Sequence, residues 1–152
     1  MEITSQADTA PILRDLPSRL LGRVATLVGK VAGDALAAHG AHRHQFAVLA
    51  TLQAFGPASQ TDLCRRTDID RSDMNAILNA LETEGMVGRE TDPSNRRRNI
   101  VRLTKAGAAR HDALRKVVEA AQDKALAALS AKERKELVRL LRVIHDDLAP
   151  GA

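Results

Sequence analysis

Leu13, Leu16, Leu20, Val24, Leu27 and Val31 recur every three to four positions, the spacing of a helix with one apolar face, and predict a helix from Ile12 to about Ala38. Pro17 falls near its start, where a proline is tolerated or marks a bend. Gly22, Gly29 and Gly33 share a stripe roughly opposite the apolar one. Glycine weakens a helix. The stripe therefore implies close approach by a second helix or a ligand, or else an exposed face without packing demands. Residues 1–10 carry no such period and are expected to be disordered.

Gly40 interrupts the chain, and His42 to Phe55 predicts a second helix with Phe46, Leu49, Leu52 and Phe55 inward, ended by Gly56-Pro57. Ser59 with Asp62 resembles a capping box and opens a short helix to about Arg66. After a tight turn at Thr67-Asp68-Ile69, Asp70 caps a further helix that runs to about Glu84 and stops at Gly85. Two short helices joined this way form a helix-turn-helix. Val87 to Thr91 predicts a short strand, Asp92 to Asn95 a turn, and Ile100 to Thr104 the returning strand, a hairpin or wing. Thr104 then caps an Ala-rich helix to about Leu129. Ser130 with Glu133 opens a last helix to about Leu148, striped by Leu137, Leu140, Leu141, Ile144 and Leu148. The fold class is mainly α with a small β element, α+β.

Charge changes the picture at one place. The 152-residue chain carries a net charge of +4. Between Val87 and Lys105, Arg89, Arg96, Arg97, Arg98, Arg102 and Lys105 face only Glu90 and Asp92, which concentrates as much net positive charge in the wing as the whole chain has. A basic tip on a near-neutral body suits phosphate binding. Phe46 and Phe55 are the only Phe, Tyr or Trp residues, too few for a platform that stacks single-stranded bases. Cys64 is the only cysteine, so no intrachain disulfide or paired-cysteine metal knuckle forms. No apolar run is long enough to span a bilayer, and the N-terminus has no signal-peptide core, so a soluble cytoplasmic protein is expected. No cofactor is implied. No nucleophile–base pair, phosphate loop or metal motif is present, which argues against an enzyme.

The segment VGRETDPSNRRRNIVRLTKAG, Val87 to Gly107, resembles the wing signature of the MarR (multiple antibiotic resistance regulator) family of winged helix-turn-helix transcriptional regulators. DRSDMNAILNALETEGMV, Asp70 to Val87, is similar to that family's recognition helix, and HQFAVLATL, His44 to Leu52, to its second helix. The resemblance implies one domain over residues 1–152, with residues 42–104 as the DNA-binding lobe and 12–38 and 105–148 as dimerisation helices. It also implies a repressor released by a small ligand. The chain departs from the pattern at Asn95, where the family has an Asp that holds the arginine two residues on, here Arg97. Asn95 can still accept through its carbonyl, and Asp92 is the alternative partner. A second departure is Ala76, where relatives often carry a base-reading Arg or Lys.

Phasing of the recognition helix turns Met74, Ile77, Leu78 and Leu81 inward and leaves Ser72, Ala76, Asn79 and Thr83 outward, flanked by Asn75. Such a helix presents its N-terminal half to the major groove. Asn75 and Asn79 offer donor and acceptor together, which suits adenine; Ser72 meets a base or phosphate, and Ala76 a thymine methyl. Arg97 would enter the adjacent minor groove, with Arg96 and Arg98 along phosphates. Arg65, Arg66 and Arg71 would touch the backbone and position the protein. The apolar stripes of the terminal helices exceed what a small lobe can bury, which implies a homodimer on a pseudo-palindromic operator with half-sites roughly 34 Å apart.

His39, His42 and His44 cluster between the first two helices but lack metal-ligand spacing, so no metal site is assigned. Cys64 is expected to be a small core residue. The resemblance implies a small aromatic or anionic effector, held among the first helix, the second helix and the start of the Ala-rich one. The alternatives are a ligand-independent architectural DNA-binding protein and a winged-helix module that binds an acidic protein partner.

Overall fold

The computed structural model describes residues 8–149 and 151. The expected disorder at the N-terminus falls, for residues 1–7, outside the described residues. Thr9 is ordered: it is buried, and its carbonyl accepts from Arg14 Nε at 2.8 Å. The first predicted helix is split at its proline into α1 (Pro11–Arg14) and α2 (Pro17–Ala37). Pro17 lacks the N–H that would continue α1, so it begins a new helix instead. Around Gly22, Gly29 and Gly33 there is open space, since a Cβ at any of them would meet nothing within 4 Å.

Then follow α3 (Arg43–Phe55), β1 (Ala58–Ser59), α4 (Gln60–Thr67), α5 (Arg71–Thr83), β2 (Val87–Asp92), β3 (Asn95–Leu103), α6 (Lys105–Ala125) and α7 (Ala131–Leu148). The caps explain the boundaries. His42 and Gln45 form a capping box on α3, and Ser130 and Glu133 one on α7. Asp70 accepts from Asp73 N at 2.8 Å at the start of α5. Asp68 ends α4 in the left-handed region, at φ 55°. The His42 ring accepts from His44 N, so part of the histidine cluster serves as a helix cap. Among the described residues no group of three or more His, Cys, Asp or Glu is placed to hold a metal ion.

The sheet is antiparallel, in the order β1-β3-β2. β1 is an addition to the sequence reading: it pairs Ala58 with Val101 and Ser59 with Ile100, and stitches the helix-turn-helix to the wing. β3 begins at Asn95, not Ile100, because hairpin pairing through backbone groups needs no apolar alternation. Thr91 pairs with Asn99 and Asp92 with Asn95, so Arg96, Arg97 and Arg98 are the surplus residues of an irregularity and lie on the strand, not in the turn.

The core joins Leu36 of α2, Val48, Leu49 and Leu52 of α3, Leu63 of α4, Met74, Leu78 and Leu81 of α5, Val87 and Val101 of the wing, and Leu114 of α6. Phe55, expected inward, is 66% exposed. It is the last residue of α3, beyond the turns that face the core, and the Arg66 guanidinium covers it at 4.4 Å. Cys64 is half-buried against the core. The Thr104–Gly107 step locks the wing to α6. The Thr104 hydroxyl donates to the Gly85 carbonyl at 2.7 Å and accepts from Gly107 N at 3.0 Å. A Cβ at Gly107 would lie 2.0 Å from the Met86 carbonyl oxygen, a spacing only glycine permits.

α7 buries none of its residues, and α2 buries only Leu36. Val24 and Leu27 of α2, and Leu140, Leu141, Val143 and Ile144 of α7, are exposed.

Candidate nucleic-acid interface

α5 is oriented by Met74, Leu78 and Leu81, all buried, which turns Ser72, Asn75, Ala76 and Asn79 to the surface. The wing stands beside it. Arg71, at the first position of α5, lines one cleft of about 330 Å³ together with Arg97 and Arg98 of the wing and Cys64 of α4. Helix start and wing therefore share one basic surface. Arg71, Arg96 and Arg97 are exposed and make no ion pair among the described residues. Their charges remain available to an external anion.

Arg65 and Arg98 are engaged. Arg65 lies 3.5 Å from Asp62. Arg98 lies 3.2 Å from Asp62 across 36 residues of sequence, and 3.8 Å from Asp92. Asp62 thus ties α4 to the wing. Its carboxyl is held below the ordinary range, first by the Ser59 hydroxyl, which donates at 2.9 Å, and then by Arg98 and Arg65. Asp92 was the alternative partner for Arg97, but it accepts instead from the Ser94 hydroxyl and backbone N–H, at 2.7 and 2.9 Å, and faces Arg98. A carboxylate beside a turn is reached first by the turn's own donors. The Ser94 bonds also hold the Asp92 carboxyl below its usual range. Asn95 does accept from Arg97, through the backbone N–H at 3.1 Å and not the guanidinium.

The sequence reading counted Arg89 only among the basic wing residues and Asp62 only in a helix cap, and it did not single out Glu82. Arg89 sits on β2, where strand alternation puts it on the same face as buried Val87 and so toward α5. Its guanidinium donates to Oδ1 of Asn79, reaches Asn75 Oδ1 at 3.5 Å, and pairs with Glu82 at 3.3 Å. That alternation was the available signal. The Asn79 carbonyl, one end of the adenine pairing expected of it, accepts from Arg89 through one of its two lone pairs. Arg102, counted with the basic wing residues, is neutralised by Glu90 across the hairpin.

The effector region expected among α2, α3 and the start of α6 overlaps the cleft found here only at α2. That cleft, of about 670 Å³, lies between the last turns of α2 and the second half of α6, with Val31, Ala35, Val117 and Ala121 as apolar walls and His39, Lys116 and Lys124 among its lining. No helix among the described residues is long and apolar enough to cross a membrane.

The MarR family model matches residues 39–98, from the α2–α3 loop through the wing arginines. The HTH-type transcriptional repressor NicR of Pseudomonas putida is 34% identical over 102 residues, covering 67% of this chain and 65% of that one. An HTH-type transcriptional repressor of Mycobacterium tuberculosis is 30% identical over 141 residues, 93% of this chain and 98% of its own. Among solved structures, BpsR of Bordetella bronchiseptica, a protein whose DNA binding is regulated by 6-hydroxynicotinic acid, superposes with a TM-score of 0.79 at 25% identity, over 87% of this chain and 94% of that one. With the motifs, the element order and a relative matched along nearly the whole length in agreement, this chain belongs to the MarR family.

Proposed function

We propose that this chain is a sequence-specific double-stranded DNA-binding transcriptional regulator, a cytoplasmic homodimeric repressor released by a small ligand. The observation that carries the reading is the shared basic surface: Arg71 at the start of α5 and Arg97 on the wing line one cleft, beside the exposed polar face of α5. Ser72, Asn75, Ala76 and Asn79 face base edges in the major groove. Arg97 enters the adjacent minor groove, and Arg96 and Arg71 meet phosphates. Arg65 and Arg98 sit at the margin, partly neutralised by Asp62, and Asp92 and Asn95 shape the hairpin turn. Residues 42–104 form the reading lobe, and the exposed apolar faces of α2 and α7 make the contact between subunits.

The repressor role is supported by the relatives named above, and the ligand response by BpsR. The α2–α6 cleft, apolar with lysines at its margin, suits a small aromatic carboxylate. Fluorescence anisotropy on the DNA upstream of the protein's own gene, against shuffled DNA at several salt concentrations, tests the reading. Tight binding with a large preference for the upstream DNA and a steep salt slope is expected. Titrated aromatic acids should then release the complex. Equal, weak binding to both DNAs, and no site enriched from genomic fragments, would overturn the reading.

A further inference from the structure

Arg89 follows Val87 on the inward face of β2, and its side chain is only 17% exposed. What covers it is α5. Glu82 pairs with the guanidinium at 3.3 Å, with a second approach to Nε at 3.5 Å, and another N–H of the guanidinium donates to Oδ1 of Asn79. Asn75 Oδ1 lies at 3.5 Å. Asn75, Asn79 and Glu82 occupy i, i+4 and i+7, so Arg89 lies along one side of the recognition helix. Toward the base of the hairpin the wing is fixed by Val87, Val101 and the Thr104 bonds. Toward its tip there is one further tie to the helices, from Arg98 to Asp62, and Arg98 is half exposed. β3 is thus tied to α4 and β2 to α5, and the better covered of the two arginines is the one on the reading helix.

We propose that Arg89 is a positioning residue for DNA recognition: it holds the wing at a fixed place beside the recognition helix, so that Arg97 and the polar face of α5 engage neighbouring grooves as one rigid unit. This rests on the DNA-reading function above. Two contacts carried on one body reinforce each other, because placing the first also places the second. Without the tie, the wing beyond Val87 and Val101 gains freedom, and ordering it on the DNA costs part of what Arg97 contributes. Arginine suits the task, since its planar fork of donors holds a carboxylate and an amide oxygen at once. Glu82 balances its charge, so the contribution of Arg89 lies in placement and not in attraction for phosphate.

The test is a double-mutant cycle on DNA affinity, measured with the full-length protein on the site it enriches from random double-stranded DNA. Arg97→Ala is combined with Arg89→Ala and, separately, with Glu82→Ala, at a partly exposed α5 position where alanine favours the helix. Thermal unfolding and sedimentation serve as controls of fold and assembly. In the wild type, Arg97→Ala is expected to lower affinity about tenfold. In the Arg89→Ala background the same change should lower it no more than about threefold, because the loosened wing already contributes less. A role of Arg89 in stability alone would leave the Arg97 factor at its wild-type size. If Arg89→Ala does not fold, Glu82→Ala decides by the same criterion. An Arg97 factor that is unchanged in the deciding variant overturns the proposal. So does an Arg97→Ala protein that binds as tightly as the wild type, since the wing then has nothing to place. If the wild type enriches no sequence, DNA reading itself fails and the inference falls with it. An enriched site bound without this coupling removes the inference alone.

Discussion

The lobe from α3 to β3 and the helices α2 and α7 handle their apolar residues in opposite ways. In the lobe, Leu49, Leu63, Met74, Leu78 and Val101 close on one another and leave little to solvent. α7 has an equally regular stripe and buries none of it, and Val24 and Leu27 of α2 stand exposed with it. Contiguous exposed apolar faces of this kind are partner surfaces in soluble proteins. The lobe closes its core with Leu36 of α2 and Leu114 of α6, whereas the apolar faces of α2 and α7 find no cover in their own chain. Reading and assembly are thereby built from separate parts, and a substitution can damage one and spare the other.

The strongest attack on the lobe is Leu78→Ala. Leu78 is fully buried on the inward face of α5, and its truncation should cost about 2–5 kcal/mol of unfolding free energy. Denaturant titration checks this, and the sedimentation of the folded protein should not change. A smaller loss would mean that the lobe collapses around the cavity and is less tightly specified than its burial implies.

The arms should respond in the reverse way. Leu141 and Ile144 are exposed in the single chain, so their replacement by serine removes nothing from the lobe. If a second copy covers the roughly two-fifths of each side chain left exposed, each contributes about 1 kcal/mol to association. The double variant is expected to sediment as a monomer at concentrations where the wild type is a dimer, and to lose DNA affinity because one half-site remains. A variant that stays dimeric would place the interface elsewhere.

Within the lobe, Arg97→Ala separates reading from folding. The side chain is exposed, and only its backbone N–H is bonded, to Asn95. Specific binding should weaken by about 1–3 kcal/mol at matched salt, with thermal midpoint and dimer unchanged. Unchanged affinity would remove Arg97 from the interface.

The comparison also shows what the sequence could convey. Helix phases were legible where one face is buried: Met74, Leu78 and Leu81 face inward as their period requires. Caps were legible because they are local, as at Ser59, Asp70, Thr104 and Ser130. The stripes on α2 and α7 were equally legible as stripes, but a period does not say whether its own chain will cover it. Long-range polar contacts left no trace. Nothing near Arg98 points to Asp62, 36 residues away, and nothing near Asn79 points to Arg89 except the alternation of β2. Phe55 misled because its spacing continues the α3 stripe past the point where the core ends. The length of β3 was hidden because its first residues are polar and pair through the backbone.

The smallest expected effect concerns one of those long-range contacts. Asp62 touches both parts of the reading surface, since it belongs to the α4 cap and pairs with Arg98 of the wing. The pair is about half exposed at Arg98, so Asp62→Asn should cost below about 1 kcal/mol of unfolding free energy, and less in high salt. The pH dependence follows from the lowered carboxyl pKa. A group whose folded pKa lies below its ordinary 3.8 stabilises the fold fully above that value, and the contribution is lost as the pH falls through the folded pKa. Wild type and Asp62→Asn should therefore differ at pH 7 and converge in strong acid, which thermal unfolding across pH reads directly. Asparagine keeps the Ser59 bond through its carbonyl but without charge, so the difference reads the charged contacts to Ser59, Arg98 and Arg65 together. A gap that persists unchanged in acid would assign the effect to the α4 cap. The wing would then be held by β1 pairing and Thr104, and Arg98 would be as free for phosphate as Arg96 and Arg97.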